Sequence, residues 1–207
     1  MQHDFILLDR SGSMADKWTE TLSSINSYVQ KLAEDKVDTG VTLITFDRDN
    51  GKFMFEIIRD RIIPRTWRRV SDEDCTPRGY TPLNDATARM VSLARAGGYD
   101  KVAIIIVTDG LENASKEFAG HVGVAKIKSM LDECRSKNWQ VIFLGADFDN
   151  AIQASSYGNS EAATMSMSAG QMVNSTRATA SKRATYGVSG QSISFTDEEK
   201  AALNKKN

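Results

Sequence analysis

The feature that most constrains this chain is the run Val102-Ala103-Ile104-Ile105-Ile106-Val107, which stops abruptly at Thr108-Asp109-Gly110. It is the most apolar stretch of the sequence. A continuous rather than alternating apolar run reads as a strand covered on both faces. Such a strand belongs in the middle of a mostly parallel sheet with helices on either side. The flanking pattern agrees. Phe5 to Leu8 is a second short apolar run, ending at Asp9, and Trp18, Leu22, Ile25, Val29 and Leu32 then follow at the spacing of one helical face.

Val41 to Phe46 and Lys52 to Ile58 read as two strands joined at Asn50-Gly51, residues that accept the positive φ angles of a tight hairpin. Residues 41–58 are therefore expected to form an antiparallel pair at one edge of the sheet. Residues 59–80 show no regular pattern. Thr81-Pro82 opens a second helix with Leu83, Ala86, Met90 and Leu93 inward, Pro82 taking the first helical position. A third helix covers 121–137, with Val124, Ile127, Leu131 and Cys134 inward, and Val141 to Leu144 is the next strand. Strands alternating with amphipathic helices predict an α/β fold with right-handed crossovers, Rossmann-like in layout. Beyond residue 155 the chain turns rich in Ser, Ala, Thr and Met. One more short strand near Thr164 to Met167 and a helix near 169–184 are expected there. A single domain over 1–186 would then be followed by a flexible tail over 187–207. Thr196-Asp197-Glu198-Glu199 within that tail has the spacing of a capping box at the start of a short helix.

Composition sets limits on function. The 207 residues carry 26 Lys and Arg against 27 Asp and Glu, a net charge of −1, so no global field points to nucleic acid or to an acidic membrane. Hydrophobic residues make up 41%, enough for a core without metal or disulfide staples. Two cysteines, Cys75 and Cys134, are too few for a disulfide framework and fit a reducing compartment. The first apolar run is too short for a signal-peptide core or a membrane span, so a cytoplasmic protein is expected.

In open α/β sheets, ligands sit beyond the carboxyl ends of the strands. Three segments here put oxygen-bearing side chains in such places: Asp9-Arg10-Ser11-Gly12-Ser13, Gly79-Tyr80-Thr81-Pro82-Leu83, and Thr108-Asp109-Gly110. Their carboxylates and hydroxyls are hard donors with no His or Cys nearby. That set suits Mg²⁺, or Mn²⁺ or Ca²⁺, and argues against zinc and copper. If one of the two carboxylates acts through water, the ion keeps positive character and an open position, which invites an acidic side chain from another protein.

At these residues the chain resembles a von Willebrand factor type A domain, whose metal-ion-dependent adhesion motif is D-x-S-x-S followed by a separate Thr and a separate Asp. Asp9, Ser11, Ser13, Thr81 and Asp109 match all five positions, and the resemblance covers about residues 3–150. The stretch Thr108-Asp109-Gly110-Leu111-Glu112-Asn113-Ala114-Ser115 is similar to small intracellular bacterial and phage members. The resemblance implies a Mg²⁺-dependent, non-enzymatic protein-interaction module. Its metal would be held by those five residues and completed by an Asp or Glu of a partner protein. Arg10, Met14, Tyr80, Leu111 and Glu112 would form the partner-binding rim. One departure is Gly79-Tyr80 before the motif threonine, where the family often has two small residues.

Other readings compete. Asp9, Ser13, Thr81 and Asp109 are each also ordinary cap or turn residues. The chain could be a metal-dependent hydrolase of phosphatase type with Asp9 as nucleophile. Against this, Ser11 stands where a second carboxylate is wanted, and neither a G-x-S-x-G elbow nor a Walker-type loop is present. Alternatively, the Met- and Ser-rich C-terminal region could carry the interaction. Arg59, Arg61, Arg65, Arg68 and Arg69 around Trp67 could form a nucleic-acid patch. The net charge favours a solvated sheet edge instead, where positive charge discourages edge-to-edge pairing. Oligomeric state stays open, since an exposed edge strand could support a dimer.

Overall fold

A computed structural model describes residues 1–145, 154–160, 163–166 and 170–203. Its strands are β1 (Gln2–Asp9), β2 (Gly40–Asp49), β3 (Lys52–Ile62), β4 (Lys101–Val107), β5 (Gln140–Gly145) and β6 (Thr164–Ser166). They form one six-stranded sheet in the order β3-β2-β1-β4-β5-β6. Every pairing is parallel except β2 with β3, which is antiparallel and lies at the edge. Asn50 and Gly51 take positive φ at the hairpin, as their residue types require. β3 runs four residues beyond its expected end, and register shifts in β2 around Leu43 accommodate the extra length.

The helices are α1 (Trp18–Glu34), α2 (Leu83–Ala96), α3 (Gly120–Ser136), α4 (Met172–Ser189) and α5 (Asp197–Leu203). Alternation along each strand divides the core into two layers. Ile6 and Leu8 of β1, Ile105 and Val107 of β4 and Ile142 and Leu144 of β5 pack with α1 and α4. Phe5 and Leu7, Ile104 and Ile106, and Val141 and Phe143 pack with α2 and α3 on the opposite face. The fold is thus α/β and Rossmann-like, with helices on both faces, as the alternating pattern predicts.

Some local expectations need correction. Pro82 precedes α2 rather than opening it, and Leu93 points to solvent. The expected boundary after residue 186 falls inside α4. From Gly187 the chain does not come loose: Ile193 and Phe195 are buried in the α1 layer, and Leu203 packs against it. Two apolar side chains in a Ser-rich stretch give little periodic signal, yet each finds a place in the core. The capping box forms as spaced, the Glu199 amide donating to Thr196 Oγ1 at 3.2 Å and the Thr196 amide to Glu199 Oε2 at 2.9 Å. Met167, Ala169 and residues 204–207 lie outside the described residues.

The stretch 63–75 is a strap over α1. Asn26 accepts from the Trp67 indole and the Val70 amide, each at 2.9 Å, and donates to the Val70 carbonyl. Trp67 therefore packs on α1 rather than standing as a stacking platform among arginines. Arg59 bridges to Asp74 at 2.9 Å and Arg61 to Asp60 at 2.9 Å.

Candidate metal centre

The order β2-β1-β4 places the topological switch between β1 and β4, where the chain has left in opposite directions across the sheet. Leu8 pairs with Val107, so Asp9 and Thr108-Asp109 emerge side by side at the carboxyl ends of these two strands. Just past β1, a 3₁₀ segment, Gly12–Lys17, turns Ser11 and Ser13 over the crevice.

Backbone bonds fix loop 9–13 against loop 78–81. The Arg78 amide donates to the Arg10 carbonyl at 2.7 Å and the Gly12 amide to the Gly79 carbonyl at 3.1 Å. Gly79 has φ +65°, and a Cβ there would sit 2.4 Å from the Arg48 carbonyl oxygen, so no larger residue fits this approach. Tyr80 is held by two backbone bonds to Arg48, at 2.9 and 3.0 Å. These contacts deliver Thr81 to the same crevice.

Asp9 is fully buried. Its Oδ1 accepts from the Ser11 amide and its Oδ2 from the Thr108 hydroxyl, both at 2.7 Å. Among the described residues it has no cationic partner. Burial pushes its carboxyl up to about 6, against the pull of the Thr108 and Ser11 hydrogen bonds. Ser13 Oγ donates to Asp109 Oδ1 at 2.9 Å and lies 3.1 Å from Ser11 Oγ. Lys17 Nζ meets Asp109 Oδ2 at 3.3 Å. A Cβ built on Gly110 would stand 3.1 Å from Thr81 Oγ1, 3.4 Å from Ser13 Oγ and 3.8 Å from Asp9 Oδ2. Three of the five oxygen-bearing residues thus face one point, which the bare glycine leaves open. The remaining two join through Ser13, which touches both Ser11 and Asp109.

The rim differs from expectation. Tyr80 and Leu111 are exposed, at 67% and 47%. Arg10 is buried instead, its guanidinium paired with Asp47 at 2.7 Å and Glu56 at 3.0 Å. Met14 is buried too, because the 3₁₀ turn directs it into the core layer under β1. Glu112 is half-buried and spends its carboxylate on the backbone. It accepts from the Asn84, Ala114 and Ser115 amides and from the Ser115 hydroxyl, which anchors its loop to the first turn of α2.

The family profile of the von Willebrand factor type A domain matches residues 5–183. The chain belongs to that family. No curated protein matches it in sequence. Among solved structures it is similar to the PilB minor pilin from Streptococcus sanguinis, with TM-score 0.61 and 13% identity, over 89% of this chain and 60% of the pilin. It is also similar to the manganese-loaded Plasmodium vivax TRAP protein, with TM-score 0.56 and 14% identity, over 84% and 71%. A von Willebrand factor type A protein from Catenulispora acidiphila gives TM-score 0.54 and 11% identity, over 90% and 42%. This chain therefore spans less than two thirds of the pilin and of the Catenulispora protein. At these identities the likeness is one of fold. Type A domains are typically metal-dependent adhesion or protein-interaction modules.

Among the described residues no group of three or more His, Cys, Asp and Glu is placed to hold a metal. The crevice offers two carboxylates and three hydroxyls instead, and that chemistry fits a hard divalent cation. A buried carboxylate with no counter-ion among the described residues, and three oxygens facing one open point, are the local observations in its favour. Reading the sequence did not find Thr108 as the donor that holds Asp9, Lys17 as the partner of Asp109, or Gly110 as the residue that leaves the space. A Thr-Asp-Gly after a strand carries the first and third implicitly. Lys17 carries no local signal, because only the 3₁₀ turn aims it.

Proposed function

We propose that this type A domain is a protein-interaction module that binds a divalent cation through Asp9, Ser11, Ser13, Thr81 and Asp109. Magnesium fits the donor set best, with Mn²⁺ and Ca²⁺ as the other ions it accepts. The burial of Asp9 beside the Ser11 amide and the Thr108 hydroxyl, with no cation among the described residues to neutralise it, is the observation that carries this reading. The ion, when bound, supplies the positive charge to which an Asp or Glu of a partner protein attaches. Tyr80 and Leu111 supply exposed apolar surface on the rim beside that position. The neighbouring protein groups set the geometry: Ser11 and Thr108 orient the Asp9 carboxylate, and Ser13 orients Asp109.

Nothing in the crevice favours hydrolysis. Ser11 stands two residues after Asp9, where a phosphatase-type nucleophile would want a second carboxylate. Cys75 and Cys134 are free and buried, and burial pushes the Cys75 thiol up to about 11, which makes it a poor nucleophile. No helix among the described residues is long and apolar enough to cross a membrane.

Isothermal titration of Mg²⁺ into metal-stripped protein tests the reading, with Asp9→Ala as control. Saturable heat in the wild type and none in the variant is expected, together with a partner that is retained in Mg²⁺ and released by EDTA. Equal heats in both proteins, or none in either at millimolar Mg²⁺ and Mn²⁺, would overturn it.

A further inference from the structure

Two of the five oxygen-bearing residues, Thr81 and Asp109, come from segments far apart in sequence, and neither lies within a helix or strand. Thr81 precedes Pro82, which restricts its backbone to extended conformations but does not set its distance from the loop after β4. The Tyr80–Arg48 bonds hold Thr81 from one side, and Asn113 bridges it to the loop after β4. The Thr81 amide donates to Asn113 Oδ1 at 2.9 Å, and the Asn113 amide donates back to the Thr81 carbonyl at 3.1 Å. The two bonds form a closed clamp on the backbone of Thr81 itself. Asn113 stands four residues after Asp109 on the same loop.

The supports around this clamp act elsewhere. Glu112 and Ser115 reach the amides of Asn84 and Asp85, inside α2. Asp85 accepts from the Lys116 and Phe118 amides, further along the loop. Arg48 bonds to the Ala114 carbonyl and to Asp85. Those contacts weld loop 112–118 to the helix, whereas the Asn113 clamp bonds directly to the backbone of the residue that carries the candidate hydroxyl ligand. Asn113 is itself exposed, so its side chain is not there to fill the core.

We infer that Asn113 is a positioning residue of the cation site, which couples Thr81 to the Asp109 loop and so presets the gap that the ion fills. This rests on the proposed cation-binding reading. The clamp keeps the Thr81 and Asp109 oxygens from drifting apart in the metal-free protein, and outer groups that orient ligands in this way tune metal affinity.

A thermodynamic cycle in Mg²⁺ affinity, measured by calorimetry on the full chain, tests the inference. Asn113→Ala should weaken binding about fivefold, the size of one lost hydrogen bond, with little change in thermal midpoint because the site is exposed. Thr81→Val removes the hydroxyl ligand and should weaken binding by itself. In the Thr81→Val background, Asn113→Ala should have no further effect, since its action runs through Thr81. Asn113→Asp keeps an accepting oxygen and should not show the loss. If Thr81→Val weakens Mg²⁺ binding but Asn113→Ala does not, or if the two losses multiply independently, the positioning role is overturned while the site stands. If the wild type binds no Mg²⁺, or Thr81→Val leaves binding unchanged, the cation-site reading itself fails, and the inference with it.

Discussion

Two aspartates five residues apart on β1 are both fully buried, and they are handled in opposite ways. Asp4, near the amino end of the strand, is saturated. Arg183 of α4 donates to its Oδ1 at 2.7 Å, Thr39 to the same oxygen at 3.1 Å, and Tyr28 of α1 to its Oδ2 at 2.8 Å. Asp9, at the carboxyl end, accepts from the Ser11 amide and the Thr108 hydroxyl and has no cationic partner among the described residues. A buried charge is tolerated when it is paired and hydrogen-bonded, and otherwise it shifts its pKa toward the neutral form. Asp4 is therefore a structural tie between the sheet and two helices. Asp9 is a carboxylate for which the described residues supply no cation.

Removing the cation at the saturated end should have the largest effect. Arg183→Met leaves Asp4 buried and unpaired, and should cost about 3–5 kcal/mol of stability, read as a lowered urea midpoint. A loss under about 1 kcal/mol would mean that Tyr28 and Thr39 suffice, and would weaken the contrast.

The opposite sign is expected at the other end. Asp9→Asn removes a charge that the metal-free fold does not neutralise. Its amide oxygen still accepts from Ser11, and its NH₂ group has the Thr108 hydroxyl as acceptor. This variant should be more stable than metal-free wild type at pH 7.5 by about 1–3 kcal/mol, the scale of a two-unit pKa shift discounted for relaxation. The pH dependence follows from the sign of the shift. The folded carboxyl titrates at about 6, above the ordinary value of 3.8, so the native state holds its proton longer than the unfolded chain does. The stabilisation from protonated Asp9 is complete below pH 3.8 and is lost as pH rises through 6. Urea unfolding of both proteins from pH 4 to 8, without metal, should show their difference growing up to pH 6 and flat above it. A difference independent of pH would assign the gain to something other than charge.

The smallest expected effect concerns Lys17, which already occupies Asp109. With Lys17 partly exposed and at 3.3 Å, this pair is worth at most about 1 kcal/mol. Lys17→Met should therefore tighten Mg²⁺ binding by about threefold, as titration would show, because a competing cation is removed. Weaker binding would mean that Lys17 holds Asp109 in place rather than competing for it.

Much of this molecule is legible from local patterns. Ile104 to Val107 declares a central strand because its β-branched apolar side chains need cover on both faces. Asn50-Gly51 declares a hairpin because few other residues tolerate its backbone. Asp9, Ser11 and Ser13 are close in space because they are close in sequence, and Asp109 joins them because parallel neighbours end together. The residues that sequence reading misplaced are those whose surroundings come from elsewhere in the chain. Arg10 follows Asp9 directly and Met14 stands five residues on, yet one is drawn inward by Asp47 and Glu56 of the β2–β3 hairpin and the other by a 3₁₀ turn. Ile193 and Phe195 lie in a Ser-rich stretch that local composition marks as loose, and the α1 layer gives them a core to enter. The α/β class, the strand ends and the set of oxygen donors are written in the chain, since they depend on side-chain periodicity and chemistry over a few residues. Whether a buried acid meets a cation is settled by folding: Asp4 does, and Asp9 does not among the described residues. Arg183 lies 179 residues from Asp4, and a charge finds or misses its partner only once the sheet has assembled.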